Sequence, residues 1–268
     1  MKIWTIALHT FAGFLRNKLM IVFLSVCVCI VLLMLTPMLG FKMMTTAANA
    51  AQMKALVLGE IEAVMFFVSG IGSWLAAWAA ADSVASEMKA GTILAVMARP
   101  VKRWEFLAGK FLGVMMLMAA YVLMMFGLSW LLAAIGGERI HSSPWVLLVY
   151  PMVRYAIWAT VAMTLATFFR AIITMGIVAL LSIGATVVSA TDFASHDAAV
   201  RYALYAIYAL LPSTDLLSES RFLEITKASL KHTSWLEHAT TVAYGLDYAL
   251  VFLLLAMWSF HYRSLKRD

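Results

Sequence analysis

Six apolar runs, each about as long as a lipid bilayer is thick, divide this chain. They cover residues 19–41, 63–81, 111–135, 145–169, 171–191 and 239–260. Four carry no charged residue; Arg154 interrupts the fourth and Asp247 the sixth. A helix needs roughly 20 such residues to cross the hydrocarbon core. Inside lipid every backbone N–H and C=O must find its partner within the protein, and helices meet that condition within one segment. The 268 residues are 64% hydrophobic and 13% charged. Soluble domains hold about 45–50% apolar and about 25% charged residues, so lipid must be the solvent for much of this surplus. The predicted fold is an all-α integral membrane protein of six transmembrane helices, with residues 1–268 forming one membrane domain.

The formal net charge is +6. In a soluble protein that excess would suggest nucleic acid as a partner. Here the basic residues flank apolar runs, so membrane orientation accounts for them and no nucleic acid is expected. One side carries Lys2, Arg16, Lys18, Lys89, Arg99, Lys102, Arg103, Lys110, Arg170, Arg263, Lys266 and Arg267, whereas the short loops of the other hold Lys42, Lys54 and Arg139. The positive-inside rule therefore places both termini and residues 82–110 in the cytosol, as in a multi-pass protein of a cell (inner) membrane. The first run is too long for a removed signal peptide and reads as a retained span.

Residues 1–18 read as an amphipathic helix in the cytosolic interface, with Trp4, Leu8, Phe11 and Leu15 on its apolar stripe. Residues 192–238 form the longest polar stretch, an outer loop containing about ten apolar residues before Pro212, half a span. Short re-entrant or interfacial helices fit it, one of them capped by Ser218.

The cytosolic stretch 86–113 has chemistry that points to a partner. Residues 87–98 read as a short helix with Ile93, Leu94 and Met97 on one face, ended by Pro100 because the residue before a proline is pushed out of helical geometry. A second helix starts near Lys102, and Trp104, Leu107 and Phe111 carry its apolar face into the third span. Arg99, Lys102 and Arg103 cluster at the break. A short helix lying across the ends of two spans is a lever, since a partner docking on it moves both.

The pattern formed by Ser86, Glu87, Gly91, Thr92, Ile93, Arg99, Pro100, Arg103, Trp104, Glu105, Phe106, Gly109, Lys110 and Gly113 resembles the first cytoplasmic loop of ABC-2-type permeases, the membrane subunits of ATP-binding-cassette transporters. Thr10 with residues 15–18 is similar to that family's N-terminal elbow helix, Leu211-Pro212 to its outer loop, and residues 260–263 to its ending. The resemblance is strongest to the six-span permeases of multicopper-enzyme maturation and sodium export, such as those of the nitrous-oxide-reductase maturation system. It implies that residues 82–110 hold a coupling helix resting in a groove of a separate ATPase, with Glu87, Gly91, Thr92, Ile93, Leu94, Arg99, Pro100 and Arg103 as the binding residues. The implied assembly holds two ATPase copies, a second copy of the permease or a related permease, and the lipid bilayer, with room for an outer-side accessory protein. The implied activity is transport, in the export direction, without catalysis by this chain. The alternative is a non-transporting membrane scaffold, or a mechanical-signalling subunit, that recruits the same kind of ATPase.

Other chemistry is sparse. Trp104 and Phe111 break the G-x-x-x-x-G-K-[ST] phosphate-loop pattern around Gly109-Lys110, so ATP and Mg belong on the partner and no cofactor is expected here. The six histidines do not fall at metal-ligand spacing, and no metal site is expected. Cys27 and Cys29, two apart on a helix, point to different faces and read as packing residues. Met115, Met116, Met118, Met124 and Met125 on the third span suit flexible apolar packing. Arg154 and Asp247 each lie about 12–14 Å from the outer end of their spans at 1.5 Å per residue. Buried charges in lipid are expensive and are usually paired. Equal depth predicts either an ion pair tying the fourth span to the sixth, or a gate.

Overall fold

The computed structural model of the protein describes residues 2–44, 67–90, 102–136, 144–190 and 235–262, together with positions 59, 64, 202, 211, 212 and 217. Seven α-helices run through them: α1 Lys2–Arg16, α2 Lys18–Met44, α3 Gly72–Ala90, α4 Arg103–Gly136, α5 Pro144–Ala166, α6 Ala171–Ala190 and α7 Trp235–Tyr262. A π-helical turn, Phe67–Ile71, leads directly into α3. No strand occurs among the described residues. The expected re-entrant helices and the Ser218 cap lie outside them.

Among the described residues, four helical segments are long and apolar enough to cross a membrane: Arg103–Leu128 in α4, Leu148–Ala166 in α5, Ala171–Val188 in α6, and α7. Lys2–Arg16 with Met20–Ile30 makes a fifth if that pair, bent by 66°, is one span. The second apolar run meets the π-turn and only the first half of α3. That helix does not stop where the charges begin but continues through Asp82, Ser83, Ser86 and Glu87 to Ala90. Residues 87–90, expected to open a separate helix, are therefore the last turn of α3. No Gly or Pro interrupts the stretch after Gly72, and the Ser83 and Ser86 hydroxyls donate back to the carbonyls of Ala80 and Asp82, a bond helices tolerate.

α5 is the hub. In its apolar window 67% of residues are buried, against 39% in α4 and 17% in each of α6 and α7. It packs most extensively against α3 and α7. A Cβ on Gly245 of α7 would collide with Val153 Cγ1 of α5. Toward the far end of α5, Thr164 donates to the Phe252 carbonyl at 2.9 Å, and the Thr167 and Ser259 hydroxyls meet at 2.8 Å. α6 and α7 turn Ile172, Leu180, Ile183, Leu250 and Leu254 outward, as helices facing lipid do.

Two tyrosines hold the π-turn. Tyr155 of α5 donates to the Val68 carbonyl and Tyr121 of α4 to the Phe67 carbonyl at 3.0 Å. A π-turn disturbs the regular i to i−4 ladder, and both hydroxyls are placed to serve its carbonyls. Gly72 completes the fit, because a Cβ there would strike the Tyr155 hydroxyl. Tyr155→Phe leaves the Val68 carbonyl without this donor in a buried site, a loss of about 1–3 kcal/mol. The expected result is a lower unfolding temperature for Tyr155→Phe than for wild type in the same detergent; equal temperatures would show that the hydroxyl does not hold the turn.

The N-terminal helix is amphipathic, and the face it packs on the bundle lies apart from the apolar stripe expected in the interface. Ala7, Thr10 and Phe14 are buried, whereas Trp4, Leu8 and Leu15 are exposed. The small face lies on α4, where a Cβ on Gly109 would be 2.7 Å from Ile6 Cβ and one on Gly113 would be 2.8 Å from the Ala7 carbonyl oxygen. Helices approach this closely only where small residues meet. The large apolar stripe is thereby left for other surroundings.

Candidate functional site

One end of the bundle gathers the flanks of residues 91–101. α3 ends there, α4 begins there, α7 finishes there, and α1 packs alongside. Lys102 precedes α4, and its N–H donates to Glu105 Oε2 at 2.8 Å. This is one half of a capping box, with the carboxylate in the first turn. It fixes where α4 starts, in agreement with the expected start near Lys102.

Arg103 reaches the last turn of α7. One guanidinium nitrogen donates to the carbonyls of Phe260 at 3.0 Å and His261 at 2.7 Å. Carbonyls at a helix C-terminus lack partners within the helix and carry partial negative charge, so a guanidinium is well matched to them. One turn on, Phe106 stacks on Phe260 with ring centroids 6.0 Å apart, and Lys110 Nζ sits 5.5 Å from the Phe106 centroid.

Lys110 is the charge at the centre of this end. Its side chain is 9% exposed and forms an ion pair with Glu87 of α3, which is 28% exposed. Asp82, one turn and a half earlier on α3, also feels this ammonium. Burial holds the Asp82 carboxyl above its ordinary range, while Lys110 pulls it back down. Two carboxylates thus share one ammonium, and the pair ties the end of α3 to the start of α4 on either side of residues 91–101.

Of the expected partner-binding residues, Glu87 and Arg103 are described, and both are engaged within the chain. Glu87 braces α3 against α4, and Arg103 caps α7. Gly91, Thr92, Ile93, Leu94, Arg99 and Pro100 lie outside the described residues. Lys110 stood in the family pattern but not as a partner of Glu87, and Asp82 was not singled out, since an ion pair 23 residues apart has no local signal.

The two charges expected as an ion pair or a gate, Arg154 and Asp247, lie on different faces of their helices. Arg154 is half-buried on α5, while Asp247 lies on the exposed face of α7, and no ion pair joins them. Gly245, Ala249, Ala256 and Phe260 mark the buried stripe of α7. Asp247 is two residues from Gly245, about 200° around a helix of 3.6 residues per turn. Equal depth did not bring equal azimuth. Near the N-terminal ends of α5 and α7, the Tyr150 hydroxyl meets His238 Nδ1 at 2.6 Å.

A family model described as ABC-2 family transporter protein matches residues 4–265. No individual curated protein matches the chain. The match spans both the helices that carry the membrane-crossing character and the braced end between α3 and α4, and the chain belongs to the ABC-2 family of transporter membrane proteins.

Proposed function

We propose that this chain is the membrane half of an exporter, driven by a separate ATPase through residues 91–101 acting as a coupling helix. The observation that carries this reading is the bracing on both sides of that segment. Lys110 and Glu87 join α3 to α4, Arg103 joins α4 to α7, and Gly109 and Gly113 seat α1 on α4. A displacement applied between residues 90 and 102 is passed to four helices together, because packed interiors transmit strain rather than absorb it.

On this reading the braced end is cytosolic, as its Lys and Arg content requires, with both termini on that side of an inner membrane. α1 serves as the elbow helix, and α2 and the π-turn with α3 supply the first two of six spans. Two permease copies, or this chain and a related permease, work with two ATPase copies that hold ATP and Mg. The subgroup of copper-enzyme maturation and sodium export remains the preferred placement on the loop residues.

The test is Leu94→Asp in the reconstituted complex. A charge placed in an apolar groove without a partner costs several kcal/mol, so permease-dependent stimulation of the ATPase should fall at least about tenfold. The variant should remain in the membrane fraction. Stimulation equal to wild type would overturn the coupling role.

A further inference from the structure

A cleft of about 950 Å³ opens at the braced end, with neither Glu87 nor Lys110 in its described lining. One wall is α3, with Trp78, Asp82 and Ser86 stepping one turn at a time along a single face. The other is the turn joining α5 to α6, with Phe168, Phe169 and Arg170. The geometry points to a binding site for a zwitterionic headgroup, a cationic amine joined to a phosphate, held between Asp82 and Arg170. This inference does not depend on the coupling role of residues 91–101.

Charge carries the argument. Asp82 and Glu87 share the single Lys110 ammonium, and Glu87 takes the ion pair. The Asp82 carboxylate is left over: neither it nor the Arg170 guanidinium makes a side-chain hydrogen bond or ion pair among the described residues. A ligand with one charge would satisfy one wall and leave the other unmatched; a zwitterion satisfies both. Burial already penalises the ionised Asp82, and an ammonium in the cleft relieves that penalty. Trp78 supplies the aromatic face that best attracts an ammonium. Phe168 is 61% exposed and offers apolar surface to an acyl chain at the depth where aromatic residues meet headgroups. The volume falls within the usual range of small-molecule sites, about 300–1,000 Å³.

The same chemistry belongs to a zwitterionic phospholipid and to a free phosphorylated amine, and the experiment separates them. The full-length protein is placed in nanodiscs of equal phosphatidylethanolamine and phosphatidylglycerol, and the lipids retained on release into the gas phase are counted by native mass spectrometry. Wild type should retain phosphatidylethanolamine about tenfold over phosphatidylglycerol, the worth of one charge-assisted contact. Asp82→Asn should bring the ratio to about one, since only the cationic wall then remains charged. Arg170→Gln, on the exposed turn where folding is not at stake, should lower retention of phosphatidylethanolamine by about tenfold. Displacement of the retained lipid by millimolar O-phosphoethanolamine supports the site and assigns it to a soluble zwitterion; retention in its presence supports the site and assigns it to the lipid. Equal retention of the two lipids by wild type, or a ratio unchanged in both variants, would overturn the proposal.

Discussion

Replacing Lys110 by Met should lower the stability of the folded protein by about 2–3 kcal/mol and slacken the contact between α3 and α4. Removing one partner of a buried pair costs about 3–5 kcal/mol, because the other charge is left uncompensated. The expected loss is smaller here because Glu87 is 28% exposed and recovers some hydration. Asp82 adds to the loss, since Lys110 also offsets its charge. Glu87→Gln should cost less, because Asp82 remains near the ammonium. The double variant Lys110→Met with Glu87→Leu should recover part of the single-variant loss, as the Glu87 orphan charge is gone. Thermal unfolding in detergent measures all three. Additive losses in the double variant would mean that the two residues act independently.

Gly113→Leu should displace α1 from α4, at about 3 kcal/mol or more. A Cβ at Gly113 would lie 2.6 Å from Thr10 Cβ and 2.8 Å from the Ala7 carbonyl oxygen, and one at Gly109 would lie 2.7 Å from Ile6 Cβ and 3.0 Å from the Ile3 carbonyl oxygen. Carbonyl oxygens of a helix cannot rotate away, so the helices themselves must separate. Overpacking of this kind costs about 1–3 kcal/mol, and Leu exceeds a single added carbon. Even Gly113→Ala should lose stability, although alanine gains up to about 1 kcal/mol of helix propensity over glycine. Gly127 on the same helix provides the control: among the described residues nothing lies within 4 Å of its added Cβ, so Gly127→Ala should be neutral or stabilising. A cysteine at Phe14, buried against the bundle, should react faster with a thiol reagent when Gly113 is Leu. Unchanged labelling and unfolding would show that α1 is not seated by these glycines.

Composition and run length settled the solvent of this chain and its all-helical class, because lipid admits no other spanning structure without a closed barrel. The starts of α4, α6 and α7 fall within about four residues of their expected positions, since charges and Pro100 mark them locally. Residues 86–113 also carried the family resemblance, which the match over residues 4–265 places on firm ground. What the sequence could not state was azimuth. The apolar stripe of Trp4, Leu8, Phe11 and Leu15 was legible, but the face of α1 that packs on α4, Ala7 and Thr10, was not, because in lipid large apolar residues gain nothing by leaving the solvent and small ones gain close approach. Arg154 and Asp247 share a depth but not a direction, since depth follows from residue count and direction from which face of α7 meets α5. Glu87 and Arg103 were read as facing a partner, and both also meet groups far along this chain that no local pattern announces: Lys110 for one, the last carbonyls of α7 for the other. A sequence records each charge where it stands; only the packing of α3, α4 and α7 decides which charge it meets.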